Sequence, residues 1–380
     1  MSFTSTSIPN MAIDNEVTVS SPSFSSKHNL STLTNAAALS EFDALVRRGL
    51  VVYSPSKIVR LKVDNFHFEF RISQSLTNKP QSGEGLKPPN ENRTNHSSSS
   101  NNNDNSSNSD NEDNNDASSK PATFGPGSDL ACPTPDLIIA TIHTTHILVP
   151  NGYSVFRPQF LLLTQDSYRR QHENLDREDL EAARAVLCAL GQDNGRRYFA
   201  MFNCGRTAGA SRQHKHMHII PCVDDEEEID QIIELPTVEK GVNVDTKAPG
   251  PTILPNNPTP KSSDIPFAHF RAPLSRSEFQ EQVYIEGVLD AYLGLLAEMR
   301  PAFSDRGAGD GEGSIPHNVI LVEDWIMVIP RSKDRYRPDV AVNGAGMVGS
   351  VWLDREEILA RWVEIGPAEV LRGVGYPPLT

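Results

Sequence analysis

Three histidines alternate with other residues in the stretch His214-Lys215-His216-Met217-His218, which runs on into two isoleucines and a proline. A period of two is the side-chain repeat of a β-strand, so this spacing predicts an extended segment with all three imidazoles on one face. The lysine and the methionine then point to the other face. Imidazole can act as nucleophile, base, hydrogen-bond donor or metal ligand near neutral pH. The pattern therefore predicts a sheet strand that carries chemistry.

Polar, low-complexity stretches reduce the part of the chain that can build a core. Of 380 residues, roughly 260 have the apolar content of folded domains. The predicted organisation is a disordered tail over 1–40, a histidine-bearing domain over 41–225 with a disordered insertion over 83–122, an acidic and proline-rich loop over 226–262, and a C-terminal domain over 263–377.

Charge and cysteine content exclude some classes of protein. A formal net charge of −14 argues against nucleic acid as a partner, because phosphate backbones attract clustered lysine and arginine. Four cysteines without a CxxC pair suit a reducing compartment. The sequence has neither a basic-then-apolar leader nor eighteen consecutive apolar residues. We expect a soluble protein without a membrane partner, located in the cytoplasm, with the nucleus as a second compartment.

Apolar periodicity predicts a mixed set of helices and strands. Short apolar runs predict strands at 137–142, 147–149, 160–164, 198–202, 267–270, 318–322 and 325–330. Helical spacing predicts helices from an Asp176 cap to Gly191, over 277–299, and from Asp354 onward.

The loop before the histidine strand, 203–211, carries glycines at 205 and 209 and a serine at 211. Glycine permits positive φ, and backbone amides with a hydroxyl can cradle phosphate oxygens. A phosphate loop beside an imidazole row indicates attack of a histidine on phosphorus, giving a phosphoramidate. An isolated strand histidine is more often simply packed or solvated. A zinc site is the other alternative for an HxHxH strand, but Cys222 is the only further ligand candidate nearby, so we favour the nucleophile and expect no protein-bound metal.

The spacing Asn203-x-Gly205-x3-Gly209-x-Ser211-x2-His214-x-His216-x-His218 resembles the signature of the histidine-triad superfamily, in particular its diadenosine tetraphosphate (Ap4A) phosphorylase, or ATP adenylyltransferase, branch. Further segments resemble that branch in order: 74–80, 151–164, 267–270 and 325–332. The resemblance implies an α+β fold in which a curved antiparallel sheet with packed helices carries the triad. It also implies that 263–377 is an ATP adenylyltransferase-like second lobe that extends the fold.

The resemblance further implies phosphorolysis of Ap4A to ADP and ATP through AMP held covalently on a histidine. His216 would be the nucleophile, His214 would orient it through its ring or main-chain carbonyl, and His218 would complete the catalytic set. The implied substrate-binding residues are Lys79, Asn151, Asn203, Gly209, Ala210, Ser211, Arg212, Asn343, Gly344 and Ala345. The implied partners are a nucleotide and inorganic phosphate. No covalent cofactor is expected, and Mg²⁺ or Mn²⁺ would accompany the nucleotide.

Several positions depart from that branch. His218 stands where the branch usually has glutamine and where the superfamily's hydrolases have histidine. An imidazole can act as an acid or base, which favours turnover by water. Gly152 and Asp354 replace lysines, and Ser350 replaces a methionine. A histidine-triad hydrolase and a nucleotide-binding protein without turnover therefore stay as alternatives.

Overall fold

The computed structural model describes residues 28–77, 124–130, 135–192, 196–222, 229–232, 242–244, 250–251, 253, 261–274, 281–303 and 314–379. Most of the predicted tail, the insertion 83–122 and most of the loop 226–262 lie outside the described residues, as does Lys79.

Eighteen strands occur in these ranges. They are β1 (His28–Asn29), β2 (Val52–Tyr53), β3 (Ser56–Val63), β4 (Phe66–Ile72), β5 (Ala140–Ile142), β6 (His146–Pro150), β7 (Tyr153–Ser154), β8 (Phe160–Thr164), β9 (Tyr198–Cys204), β10 (His216–Pro221), β11 (Ile229–Ile232), β12 (Val242–Val244), β13 (Phe270–Pro273), β14 (His317–Leu321), β15 (Trp325–Pro330), β16 (Arg335–Arg337), β17 (Val340–Ala341) and β18 (Ser350–Leu353).

Six α-helices accompany them in the same ranges. They are α1 (Asn35–Arg47), α2 (Arg177–Gly191), α3 (Glu281–Phe303), α4 (Gly344–Met347), α5 (Glu356–Ile365) and α6 (Pro367–Val374). Within the described part of the chain, none of these helices has the length and apolar character needed to cross a lipid bilayer.

The main sheet has nine strands in the order β1-β5-β6-β8-β10-β9-β14-β15-β13. Its pairs are antiparallel except β1 with β5. The strand β9 pairs with β14, so that Asn203 lies opposite Asn318 and the two halves of the chain share one continuous sheet. The predicted α+β class, with an antiparallel sheet extended by a C-terminal lobe, is confirmed.

A second sheet has the order β11-β3-β4-β18, with β12 also on β3. Its strand β18 comes from the C-terminal part of the chain and pairs in parallel with β4, placing Ser350 beside Glu69 and Trp352 beside Arg71. The two halves of the chain are therefore interlocked in both sheets. Two smaller sheets pair β2 with β7 and β16 with β17.

Apolar side chains on the two faces of the main sheet enter different cores. Along β9, Tyr198 and Phe202 enter the core beneath helices α1, α2 and α3, while Phe199 and Met201 enter the core shared with the second sheet. The same alternation holds in β10, where Met217 packs into the first core. His216 and His218 therefore face the second sheet, because their side chains alternate with that methionine.

Most element predictions agree with the structure, and the differences have local causes. Helix α2 begins after Asp176, which caps it in a reciprocal capping box with Asp179. Helix α1 begins at Asn35, inside the predicted tail, because Thr34 caps it and its apolar face packs into the first core. Helix α5 begins two residues after Asp354, with Arg355 at the N-cap position and no side-chain cap bond.

His317 is a buried histidine whose titration should destabilise the fold in acid. Burial lowers its pKa to about 4, and its nitrogens lie 2.7 Å from the Ile315 carbonyl and 3.0 Å from the Tyr292 hydroxyl. The unfolded chain binds this proton more readily, so stability is complete above about pH 6.5 and falls as pH drops towards 4. We expect urea unfolding to lose about 3 kcal/mol over that interval from this group. His317→Gln should remove most of that loss, and an unchanged pH dependence in the variant would contradict this assignment.

Candidate active site

His216 begins β10 and is held in one tautomer. Its Nδ1 lies 2.8 Å from the main-chain oxygen of His214. A carbonyl oxygen can only accept, so Nδ1 carries the proton and donates it, which leaves the lone pair on Nε2. The side chain is 6% exposed. In the neutral ring, Nε2 is thus the nitrogen that carries no proton.

Gln171 fixes the backbone on which His216 sits. Its buried side-chain oxygen accepts from the His216 amide at 2.8 Å, and its Nε2 donates to the His216 carbonyl at 3.0 Å and to the Asn203 carbonyl at 3.1 Å. One amide group therefore ties the start of β10 to the end of β9. No pattern in the sequence singled out this residue.

Replacing Gln171 by methionine should weaken both the fold and the site. The change keeps the length of the side chain but leaves one amide and two carbonyls without their partners. Each such buried loss costs about 1–3 kcal/mol, so we expect the free energy of unfolding in urea to fall by at least about 2 kcal/mol. Gln165→Met, at a partly buried glutamine with a 3.5 Å contact, is the matched control. Equal effects of the two changes would contradict a special role for Gln171.

His214 serves the site through its main chain. The residue has no exposed surface, and its ring nitrogens lie 2.7 Å from the Ser128 hydroxyl and 2.9 Å from the Thr164 carbonyl. Burial lowers the pKa of this ring, which favours its neutral form. The His214 group that contacts the His216 ring is the main-chain carbonyl. The ring contacts also argue against a metal centre made of three imidazoles. Among the described residues, no group of three or more His, Cys, Asp or Glu side chains is arranged to hold a metal ion.

Lys215 points away from the histidines, as the period of two predicts. Its buried Nζ lies 2.6 Å from a carboxylate oxygen of Asp179 and donates to the Asn174 carbonyl at 2.7 Å. The other oxygen of Asp179 lies 3.1 Å from His146 Nε2. Hydrogen bonds from His146 and Lys215, with the charge of Lys215, outweigh desolvation and keep the pKa of Asp179 well below its usual range. This buried pair anchors β10 to the first turn of α2.

The loop before β10 forms a short 3₁₀ turn over Arg206–Ala208. Gly205 and Gly209 have φ values of 81° and 92°, which glycine adopts without strain. The amides of Gly209 and Ala210 donate within the turn, to Arg206 and Gly205 carbonyls at 2.8 and 3.3 Å. Both amides are thus used to close the turn. Ser211 is exposed at the end of the loop.

Asn203 joins this loop region to the C-terminal lobe. Its side-chain oxygen accepts from Asn318 Nδ2 at 2.8 Å and from the Gly344 amide at 2.9 Å. Asn343 caps the four-residue helix α4. A Cβ on Gly209 would lie 2.8 Å from the Asn343 Cα. The structure therefore places Asn203 and Gly209 beside Gly344 and Asn343, whereas Ala345 is fully buried in the second core.

Arg331 holds the two halves together beneath the site. This fully buried guanidinium donates to four carbonyls, those of Ala208 (3.1 Å), Lys333 (2.9 Å), Val342 (2.7 Å) and Val374 (3.2 Å), and to Asn318 Oδ1 (2.7 Å). Burial lowers its pKa to about 9. The sequence places this arginine in a segment that resembles the family, but no pattern assigned it a role.

Asn151 lies in the turn between β6 and β7. Its side-chain oxygen accepts from the Tyr153 amide at 3.3 Å, and its carbonyl accepts from the Ser154 hydroxyl at 2.7 Å. Burial raises the pKa of Tyr153, and the positive charge of Arg212 opposes that rise. A Cβ added at Gly152 would meet no atom within 4 Å.

His218 lies next to His216, half-buried on the same face. Its ring centroid is 5.4 Å from that of His216 and 6.2 Å from that of Trp352 on β18. Both contacts are edge-to-face. Trp352 was not predicted from the sequence as a site residue. Only the pairing of β4 with β18 brings it to the histidines.

Comparisons with known proteins agree with this architecture. The model of the Ap4A phosphorylase N-terminal domain matches residues 98–236, and that of the ATP adenylyltransferase C-terminal domain matches residues 263–377. The chain belongs to the Ap4A phosphorylase family. One relative is Ap4A phosphorylase 2 of Saccharomyces cerevisiae, which is 30% identical to this chain over 213 residues. The match covers 53% of this chain and 60% of that protein. The Saccharomyces cerevisiae protein APA1 is 29% identical over 240 residues, with 60% of this chain and 68% of that protein covered.

Solved structures of the yeast Ap4A phosphorylase Apa2 have the same fold as this chain. The first superposes with a TM-score of 0.62 at 20% identity and covers 94% of this chain and 100% of that one. A structure in complex with Ap4A, at 19% identity and with the same coverage, gives a TM-score of 0.58. At this identity the likeness supports the fold. The chemistry has to be argued from the residues of this chain.

Proposed function

We propose that this protein is a nucleotidyltransferase that splits Ap4A with inorganic phosphate into ADP and ATP. The observation that carries the proposal is the His216 imidazole, whose Nδ1 proton is held by the His214 carbonyl at 2.8 Å while Nε2 keeps its lone pair. Related proteins support the substrate class, since one is named as an Ap4A phosphorylase and a solved relative is in complex with Ap4A.

In the first proposed step, the lone pair of His216 Nε2 attacks an α-phosphorus of Ap4A. A nitrogen–phosphorus bond forms as the bond from that phosphorus to the bridging oxygen breaks, and ATP leaves with the electron pair. The histidine then carries AMP as an imidazolium-type phosphoramidate whose Nδ1–H still donates to the His214 carbonyl. A hydrogen bond to the charged form stabilises it, as an orienting acceptor does for other histidine catalysts.

In the second proposed step, an oxygen of inorganic phosphate forms a bond to the same phosphorus. The nitrogen–phosphorus bond breaks, its electron pair returns to His216 Nε2, and ADP leaves. Phosphate is already an anion at neutral pH and does not need to be deprotonated first. The proposed partners are therefore a dinucleotide and phosphate, and Mg²⁺ or Mn²⁺ would enter with the polyphosphate, as it does in other nucleotide sites.

The proposed substrate contacts lie around the nucleophile on both halves of the chain. Ser211 and Arg212, at the end of the loop, are accessible enough to contact phosphate oxygens. Asn203 acts in our proposal by fixing Gly344 beside the loop rather than by touching the nucleotide, because its side-chain oxygen already accepts two hydrogen bonds. Asn151 and Asn343 would contact substrate from the two sides.

A hydrolase is the second candidate, and one observation favours it. The His218 imidazole lies 5.4 Å from the His216 ring, close enough for it to assist a water molecule at an adenylylated His216. In that reaction the products would be AMP and ATP. A nucleotide-binding protein without turnover would form neither product pair.

Product analysis of Ap4A cleavage tests the proposal. The full chain is incubated with Ap4A and Mg²⁺, with and without inorganic phosphate, and nucleotides are separated by chromatography. We expect ADP and ATP in equal amounts with phosphate, and ³²P from labelled phosphate in the ADP. AMP and ATP formed at the same rate with and without phosphate would favour the hydrolase, and no cleavage in either case would favour the binding protein.

A further inference from the structure

The ring of His218 makes edge-to-face contacts with two other rings. It meets His216 at an interplanar angle of 67° and Trp352 at 69°. Edge-to-face pairs at this spacing attract each other. The imidazole thus has a preferred orientation that depends on a residue of the C-terminal lobe.

The indole of Trp352 is itself fixed by its neighbours. Its Nε1 donates to the Ser350 hydroxyl at 3.1 Å, and its ring makes an edge contact with Phe156 at 5.8 Å. Behind Phe156 lies the guanidinium of Arg71, 4.1 Å from the ring centroid, which is held by two hydrogen bonds to Glu69 at 2.9 and 2.6 Å. The residues that support Trp352, namely Phe156, Arg71, Glu69 and Ser350, are buried and have little freedom to move.

We propose that Trp352 is a positioning residue that holds the His218 imidazole against His216 and thereby reserves the adenylyl group for phosphate rather than water. The inference rests on the proposed function, because the group whose fate it concerns is the AMP carried by His216. It explains how a family site can carry an imidazole at 218 and still work as a phosphorylase.

The two competing nucleophiles differ in their need for a base. For water to react, its oxygen bonds to phosphorus, one of its protons passes to a His218 nitrogen, and the nitrogen–phosphorus bond breaks with its electron pair returning to His216 Nε2. Phosphate attacks as an anion and needs no such proton transfer. An imidazole confined by two rings cannot turn freely towards an incoming water, whereas one without its tryptophan neighbour can.

The ratio of AMP to ADP formed from Ap4A in the presence of phosphate tests this role. Both products come from the same intermediate, so a loss of folded or active protein lowers both and leaves their ratio unchanged. We expect Trp352→Leu to raise the ratio roughly tenfold, since a mobile general base contributes at least that much. Trp352→Phe keeps an aromatic edge and should leave the ratio within about twofold of wild type.

Two further variants complete the test. The double variant Trp352→Leu/His218→Gln should return the ratio to the wild-type value or below, because the amide cannot accept the proton from water. Trp325→Leu removes a tryptophan that packs on Arg271 and should not change the ratio. The inference fails if Trp352→Leu leaves the ratio unchanged, if the double variant keeps a raised ratio, or if Trp325→Leu raises it equally. A wild type that forms no ADP would overturn the proposed function and the inference with it, whereas ADP formation with an unmoved ratio overturns only the role of Trp352.

Discussion

His216→Ala should abolish the AMP adduct and reduce Ap4A cleavage by at least about a thousandfold, because no other group replaces a covalent nucleophile. Wild type mixed with Ap4A in the absence of phosphate should gain the mass of AMP, and peptide mapping should locate it on His216. The alanine variant should show no such gain. Measuring its stability in urea separates loss of the proposed nucleophile from loss of the ring's hydrogen bond to the His214 carbonyl.

The control for this experiment is His143→Ala, at an exposed histidine in the turn between β5 and β6. It removes an imidazole without touching the proposed site, so the adduct and the rate of cleavage should stay as in wild type. An adduct that persists in His216→Ala would show that another residue is the nucleophile. If His216→Ala loses activity but wild type forms no adduct, the results would favour direct attack of water on Ap4A.

The strand that carries the histidines was predictable because its signal is local. A period of two together with Met217 and Ile219 on the opposite face specifies both the strand and the face on which the imidazoles lie. The same reasoning predicts helix α2, whose cap at Asp176 and apolar stripe lie within one segment. The antiparallel sheet as a whole was predicted from the family resemblance, because a list of strands along the sequence does not give their order in the sheet.

Residues that act across long sequence separations could not be predicted in this way. Gln171 contacts His216 over 45 positions and Arg331 contacts Ala208 over 123. Neither residue stands out in its own segment, and burial of a polar side chain depends on elements folded elsewhere. Trp352 reaches His218 only because β18 pairs with β4. Two of the loop amides bond within the loop itself, because a glycine-rich segment can use its own donors to close a turn.

Arg331→Met should cause the largest loss of stability among these variants. The methionine fills a similar volume but leaves four carbonyls and the Asn318 side-chain oxygen without their donor. Removing one partner of a buried charged network costs about 3–5 kcal/mol, which is a large fraction of the stability of a typical domain. We expect the midpoint of urea unfolding to fall accordingly. Arg335→Met, at a half-exposed arginine paired with Asp334, should cost less than about 1 kcal/mol.

Arg331→Lys separates the role of the charge from that of the five hydrogen bonds. A lysine keeps the positive charge but has one nitrogen with three donors, and it cannot span acceptors that lie on the 3₁₀ turn, on β14 and before α4 and β16. If geometry is what matters, the lysine variant should lose nearly as much stability as the methionine variant. It should also lose activity beyond the loss of folded protein, because the carbonyls of Ala208 and Val342 lie next to the loop and to Asn343. A lysine variant as stable as wild type would instead assign the effect to charge alone.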